Sequence, residues 1–327
     1  MNILILSSGR RTKLIQYFKE NLKGIGSLIL TDCSELAPSL YFGDQYYIVP
    51  PIHEQNYIDC IIDICKKENV KGIFSLIDPE IELISSKRAL FESLGIKVFS
   101  PETQVADTCY DKYKLYEFCK KNNIKAVNTY NDINTFLADL KEGVIHFPVF
   151  LKPKHGSASM GIRIINKSDE LERFWQKNNC EYIIQEYMTG QEYGVDTYTD
   201  ILSKEIVSIF IKKKIVMRSG ETDKAESVKI GKLFDIIQDF SMKLKLFGQS
   251  DIDVFEKDGE FLISEVNPRF GGGYPLAYEC GCNFPQMIIR NLSGIENENA
   301  TGHYDEGVFM MKWDDVSIRR NERPRNL

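Results

Sequence analysis

Apolar runs alternate with amphipathic stretches through the first hundred residues. NILIL (2–6) and SLILTD (27–32) read as short strands with an amphipathic segment over 12–22 between them. In NYIDCIIDICKKEN the apolar positions 57, 58, 61, 62, 64 and 65 follow a helical spacing. GIFSLIDPE is a strand running into an acidic turn, followed by a helix through Leu94 and the strand KVFSP. This rhythm predicts a small parallel sheet covered by helices. After Pro101 the pattern changes: YDKYKLYEFCKKNN predicts a helix, FPVFLKP a strand, HGSASMG a loop of small residues and IRIINK another strand. A helix from Asp169 leads to YIIQEYM, and EYGVDTYTDI and EIVSIFIKKKIVM read as further strands. A long helix is expected over 225–246, then the hairpin DIDVFEKDGEFLISEVNPR turning at Lys257, Asp258 and Gly259, then an apolar helix over 275–292. The last dozen residues are polar and basic and predict a frayed tail.

The chain has 327 residues, a length suited to two or three domains, and its 43% hydrophobic content suffices for a sizeable core. Net charge is 41 minus 47, or -6, which argues against a general binder of nucleic acid or anionic membrane. No apolar run approaches the ~20 residues that span a bilayer. The N-terminus places its apolar run before its charges, the reverse of a secretory signal, so a cytoplasmic protein is expected. The eight cysteines form no CxxC pair and the four histidines lie far apart, so no zinc site is expected. Cys280 and Cys282 read as small buried residues. Gly9 and Asp32 resemble half of a dinucleotide fold, but one glycine stands where the fingerprint needs three, and no nicotinamide site is expected. Asp78, Glu80 and Glu82 read either as ligand contacts beyond the strand ends or as a solvated turn and helix start.

Three stretches carry chemistry. In SEVNPRFGGGYP, Glu265, Asn267 and Arg269 alternate, so a strand places them on one face. Pairing across the turn brings Asp253 beside them. Magnesium takes hard oxygen ligands and usually holds nucleotide phosphates through one or two carboxylates plus waters, and Asp253, Glu265 and Asn267 suit that share. Arg269 would reach a phosphate or a reacting anion. The plain alternative is a surface hairpin with charged outward positions, but the apolar neighbours Val254, Phe255, Phe261, Ile263 and Val266 make this one half-buried. The glycines at 271–273 would expose backbone donors at a helix start, a favourable place for an anion. The second stretch is FLKPKHGSASMGI, where Lys152 precedes a loop whose backbone N–H groups can approach phosphates. It lacks the GK[ST] of a P-loop, and a flexible hairpin turn fits it nearly as well. The third, IIQEYMTGQEYGVD, delivers Glu186, Tyr187 and Met188 into a turn whose backbone suits an adenine edge, with Met188 on the ring and Glu192 accepting from ribose; an ordinary strand–turn–strand is its alternative.

Taken in this order, the motifs resemble the ATP-grasp superfamily, and within it the carbamoyl-phosphate-synthetase-like carboxylate–amine ligases. The resemblance implies an α/β fold, with an N-terminal pre-ATP-grasp (Rossmann-like) domain over 1–105 followed by an ATP-grasp fold of two α+β subdomains. These would be 106–185 with the phosphate lid and 186–315 with the metal site, leaving a tail over 316–327. Asp111-Lys112 is similar to the family's helix start, whose basic residue contacts ATP phosphate, and Lys152 to its second phosphate-binding cation. Gly156, Ser157, Ser159 and Gly161 fall in the lid. Glu186, Tyr187, Met188 and Glu192 match the adenine and ribose positions, Asp253, Glu265 and Asn267 the metal ligands, and Arg269 the arginine of the NPR signature. Lys152, Arg218 and Arg269 are the expected catalytic cations. Arg218, Glu221 and Lys224 would face the cleft where relatives vary with substrate. Departures are a single half where carbamoyl-phosphate synthetases carry two, FGGGYP in place of the QVEH-type stretch of biotin carboxylases, and Asp253 where some relatives have glutamine or glutamate.

The resemblance implies ATP and magnesium, with manganese as a substitute, and small-molecule carboxylate and amine substrates; a homodimer is left open. The expected reaction is ADP-forming ligation through an acyl phosphate, with Glu221 or Glu226 near the amine. The rivals are a phosphotransferase or carbamoyl-phosphate-forming subunit working with a partner, and a non-catalytic nucleotide-binding module.

Overall fold

The computed structural model describes residues 1–156, 161–178 and 181–320. Its first hundred residues give β1 (Asn2–Leu6), α1 (Thr12–Leu22), β2 (Ser27–Asp32), β3 (Gln45–Ile48), α2 (Tyr57–Lys67), β4 (Val70–Ser75), α3 (Asp78–Ser86), α4 (Arg88–Ser93) and β5 (Lys97–Val98). The strands pair in parallel in the order β3-β2-β1-β4-β5. Ile3 and Ile5 pack into one layer and Leu4 and Leu6 into the other, which is why β1 is apolar at consecutive positions. The strand order reverses at β1. The loops after β1 and β4 therefore flank one crevice beyond the carboxyl ends of the sheet, the usual ligand position in open α/β sheets. Asp32 holds one wall of it: Gly9, at φ +52°, donates its N–H to Oδ2 at 2.8 Å, and Ser34 N–H donates to Oδ1 at 2.9 Å.

The acidic turn after β4 is not solvated. Glu80 is fully buried and accepts from Tyr57 and Ser75 hydroxyls, and burial raises its pKa despite those bonds. Asp78 is 6% exposed.

The middle of the chain forms α5 (Thr103–Tyr110), α6 (Lys112–Lys121), β6 (Thr129–Tyr130), α7 (Ile133–Glu142), β7 (Val149–Pro153), β8 (Arg163–Ile165), α8 (Ser168–Asn178) and β9 (Tyr182–Glu186). Its strands make an antiparallel sheet, β6-β9-β7-β8, whose core includes Phe136, Leu151, Leu171 and Ile184. The remainder gives β10 (Gln191–Thr199), β11 (Ile206–Arg218), β12 (Glu221–Val228), α9 (Gly231–Leu244), β13 (Gly248–Lys257), β14 (Glu260–Asn267), α10 (Tyr274–Glu279), α11 (Phe284–Leu292) and β15 (Phe309–Met311). These six strands form an antiparallel sheet in the order β14-β13-β10-β11-β12-β15.

Two helices differ from the sequence reading. Residues 225–228 belong to β12, not to the start of a long helix, because β11 and β15 flank them and bury Ala225 and Ser227 between more exposed neighbours. The helix expected over 275–292 is broken at Gly281, whose φ of +107° favours glycine, and Asn283 caps the next helix through Gln286 N–H. Cys280 and Cys282 flank the break, both buried.

Aromatic packing docks the N-terminal sheet onto the large one. Phe18 and Phe74 meet Phe270, at ring separations of 5.7 Å each, and Phe270 packs on Tyr274 at 4.7 Å. Tyr17 stacks on Tyr278 at 3.6 Å and donates to Glu279 at 2.7 Å. This single core holds the end of the hairpin against the crevice after β1 and β4.

Candidate functional site

Three neighbouring strands put a ladder of charge on one face of the large sheet. In the observed registers Gly194 faces both Lys212 and Asp253, and Asp196 faces Asp251, so alternate residues of β10, β11 and β13 share that face. Lys212 Nζ donates to Asp196 at 2.6 Å and Asp251 at 3.2 Å, and Lys214 Nζ donates to Glu192 at 2.7 Å and Asp253 at 2.6 Å. Burial pushes Asp196 up to about 6 and raises Glu192, in each case against the pull of the paired lysine. Burial also opposes the charged form of Lys214, but Asp253 and Glu192 outweigh it and the pKa rises. Lys212 and Lys214 were read from sequence only as part of a strand. Their signal was alternation inside the apolar run IFIKKKIV, set against the alternating Glu192 and Asp196 of the preceding strand.

The hairpin turns where expected, with Asp258 and Gly259 at φ +54° and +74° and Lys257 paired to Glu260. Its register sets Glu265 opposite Asp253 and Asn267 opposite Asp251. Asp111 caps α6 by accepting from the N–H groups of Tyr113 and Lys114, an arrangement worth about 1 kcal/mol. That cap fixes Lys112 at the helix start, where Nζ donates to Gly156 carbonyl at 2.6 Å and lies 3.9 Å from Glu265 Oε1. Lys152, on β7, donates to Gln185 at 2.6 Å. Burial lowers its pKa, Glu265 opposes that shift, and Lys112 adds to it. Lys112 thus lies beside Glu265, and the charge of Glu265 also acts on Lys152. Beside them a cleft is lined by Asp78, Tyr110, Gly156, Glu265, Asn267 and Pro268, among others.

Gly156 and Gly161 frame the small-residue loop at φ +126° and +74°, while Ser157 and Ser159 lie outside the described residues. Glu186 ends β9 with its carboxylate taken by Lys257 at 2.6 Å and Asn128 at 2.8 Å. Tyr187 packs on Phe150 at 4.8 Å, and Met188 is 9% exposed.

Arg269 is 8% exposed and forks onto Asp78, with Nε at 3.0 Å and an Nη at 3.1 Å; the same Nη donates to Asn267 Oδ1 at 3.0 Å. Burial alone would lower its pKa, but Asp78 and Asp251 outweigh burial and raise it. Arg218 differs from its expected position at the reacting groups. It is half-exposed at the end of β11 and holds Asp314 at 3.1 Å and Asp223 at 3.2 Å, because the chain after β15 folds back beside it. Lys224 is exposed, whereas Glu221 does turn inward, to Lys312 at 2.9 Å and Arg11 at 3.4 Å.

The glycine run is shaped by these charges. A Cβ on Gly271 would stand 2.4 Å from the Asp251 carboxyl carbon, one on Gly272 2.8 Å from an Arg11 Nη, and one on Gly273 2.7 Å from Lys212 Cε. The chain gives up side chains there so that its backbone can lie against the ladder. Gly271→Ala is expected to break the Lys212–Asp251 contact and cost about 1–3 kcal/mol, read as a lower urea midpoint; an unchanged midpoint would show that the backbone moves aside freely.

Among the described residues no three His, Cys, Asp or Glu side chains are arranged to hold a metal by themselves. Asp253 Oδ1 accepts from Lys214 and Asp253 does not line the cleft, whereas Glu265 and Asn267 both do, the Asn267 amide oxygen accepting one bond from Arg269. That hard-oxygen pair fits magnesium delivered on nucleotide phosphates, where phosphate oxygens and waters fill the remaining positions.

The model of the ATP-grasp domain matches residues 109–273, half of the chain and the stretch that carries Lys112, Lys152, Glu192, Glu265 and Arg269. The chain belongs to the ATP-grasp family. In this ATP-grasp protein residues 3–99 match the PylC-like, N-terminal domain. It is similar to the carbamoyl phosphate synthase arginine-specific large chain of Bacillus subtilis, 21% identical over 286 residues that cover 83% of this chain and 27% of that one. The chain thus spans about a quarter of the length of that relative. The formate-dependent phosphoribosylglycinamide formyltransferase of Prochlorococcus marinus is 26% identical over 282 residues, covering 82% of this chain and 69% of its own. Among solved structures, the biotin carboxylase domain of Hydrogenobacter thermophilus 2-oxoglutarate carboxylase, in complex with MgADP, ADP and bicarbonate, superposes with a TM-score of 0.76 at 14% identity, over 94% of this chain and 73% of that one. The ATP-grasp fold is therefore shared across the described sheets. Among the described residues no helix is long and apolar enough to cross a membrane.

Proposed function

We propose that this ATP-grasp protein is an ADP-forming carboxylate–amine ligase that acts on small molecules in the cytoplasm through an acyl phosphate. The observation that carries this reading is Lys112 beside Glu265, whose charge also acts on the buried Lys152, next to a buried Arg269 and a small cleft. A module that only held adenine would need none of those cations.

Adenine is read by the backbone after β9 with Met188 on its face, ribose by Glu192, and the phosphates by Lys112, Lys152 and the loop from Gly156 to Gly161. Glu265 and Asn267 would hold magnesium delivered with the nucleotide, and the bound ion would supply positive charge to the transferring phosphoryl group. Asp253 acts through Lys214, orienting Glu192 on the neighbouring strand. A substrate carboxylate oxygen attacks the terminal phosphorus, and the bond to the departing ADP oxygen breaks. The amine nitrogen then attacks the acyl carbon, the carbon–oxygen bond to phosphate breaks, and phosphate leaves as the nitrogen loses a proton. Holding acyl phosphate and amine together supplies effective molarities on the order of 10⁵–10⁸ M. Arg218 has no part in either step, being tied to the C-terminal segment.

Carboxylates are screened with ATP, magnesium and hydroxylamine, which traps an acyl phosphate as its hydroxamate. The expected outcome is carboxylate-dependent release of ADP, with phosphate once an amine is supplied. Release of AMP and pyrophosphate in step with product would overturn the reading, and ADP formation that yields a stable phosphorylated product would favour a phosphotransferase.

A further inference from the structure

Arg11 is a partly buried cation that the steps above do not use. It sits in the loop after β1, at the point where the strand order of the N-terminal sheet reverses. Its guanidinium offers five N–H donors, yet among the described residues it makes no side-chain hydrogen bond. Its ion pair, to Glu221, is long at 3.4 Å, and its side chain is 22% exposed. Burial lowers its pKa, Glu221 opposes that shift, and the nearby positive charge of Arg269 adds to it. Arg269 already donates to Asp78, Asn267 and a backbone carbonyl, so an anion arriving between the two guanidiniums would find most of its open donors on Arg11. Glu221 is ionised: burial would raise its pKa, but Arg11 and Lys312 outweigh burial and lower it. Gly272 brings its backbone close against this pair, since a Cβ there would stand 2.8 Å from Arg11 and 2.9 Å from Glu221.

A guanidinium and a carboxylate side by side, neither fully satisfied, form a surface complementary to a zwitterion. We propose that Arg11 and Glu221 receive the carboxylate and the ammonium of a small amino acid, which is the amine substrate. This rests on the ligase reading and assigns the N-terminal domain a share of the site: Arg11 is its specificity-determining residue. Arg11 sits at the crevice after β1 and β4, where open α/β sheets take ligands, and the aromatic core around Phe270 joins that domain to the hairpin that carries Arg269. The competing source of one positive charge, Lys312, already donates to Glu221 at 2.9 Å and belongs to the exposed C-terminal segment, so it can yield to an incoming ammonium.

The test uses the full chain saturated with magnesium–ATP and a responsive carboxylate. The probes are glycine, the standard L-amino acids and D-alanine, each beside its amide, which keeps the amine and loses the negative charge. At least one amino acid should accelerate phosphate release, with its amide at least tenfold weaker. Arg11→Gln should raise KM for that amino acid by about 10- to 100-fold, leave KM for ATP within about twofold, and erase the preference for acid over amide. Arg11→Lys should restore part of the preference, and urea unfolding of both variants reports whether they fold. A preference that survives in Arg11→Gln, or a wild-type enzyme that treats acids and amides alike, overturns the assignment while leaving the ligase reading intact. Failure of magnesium–ATP to raise the melting temperature of the wild type overturns both.

Discussion

Glu265→Ala is expected to lose turnover by at least about 10³-fold while keeping its fold, the largest catalytic effect foreseen for a single position. The carboxylate is 25% exposed and its ion contact, to Lys112, is long at 3.9 Å, so its removal opens no core cavity and breaks no close pair. What it removes is the harder of the two oxygens offered to magnesium, and one of the charges that keep Lys152 protonated. Burial already lowers the Lys152 pKa; without Glu265 it falls further, so residual nucleotide binding by the variant should fade at a lower pH than in the wild type. Saturating magnesium–ATP at about a hundred times its dissociation constant should stabilise the wild type by roughly 2.7 kcal/mol. The check is differential scanning fluorimetry with and without nucleotide. A full shift in the variant, together with unchanged turnover, would remove Glu265 from the metal site.

Arg269→Ala should do two kinds of damage. Asp78 would be left buried without its fork, and breaking such a pair typically costs about 3–5 kcal/mol. Loss of one preorganised donor at the transferring phosphate should also lower kcat by about 10²–10³-fold. The double variant Arg269→Ala with Asp78→Ala separates the two: it should regain a large part of the stability and none of the rate. Arg269→Lys keeps the charge without the planar fork, so it should remain weaker than wild type in both. Calorimetry and steady-state kinetics on the same preparations decide the matter. If Arg269→Ala melts with the wild type, the Asp78 pair is not structural. If the double variant recovers its rate, Arg269 serves only to hold the N-terminal domain.

Much of this site was legible along the chain because its parts are local. Two-residue alternation puts Glu265 and Asn267 on one face of β14, with Arg269 just past its end donating to Asn267, and an Asp-Gly turn is enough to bring Asp253 opposite Glu265. The order of the lysine strand, the turn after Glu186 and the hairpin pointed to the ATP-grasp family without any contact map. The parallel sheet also followed from its apolar strands, since β1 is covered on both faces.

Tertiary structure decided the rest, for a common reason: the partners lie far apart and meet only after the sheets dock. Residues 225–228 have no strong strand signal of their own and became β12 because β11 and β15 pair with them. Glu186 was read for its place at the hinge, yet its carboxylate is occupied by Lys257, 71 residues away. Asp78 looked like one of several acids at a helix start, and it meets Arg269 across 191 residues of chain. Arg11 has no pattern along the chain that marks it, and it meets Glu221 across 210 residues beside Gly272. Alternation and spacing determine which way a side chain faces on its own element. Which charges are buried together, and which are left with open donors, depends on how the aromatic core around Phe270 seats one domain on the other, and no local pattern encodes that distance.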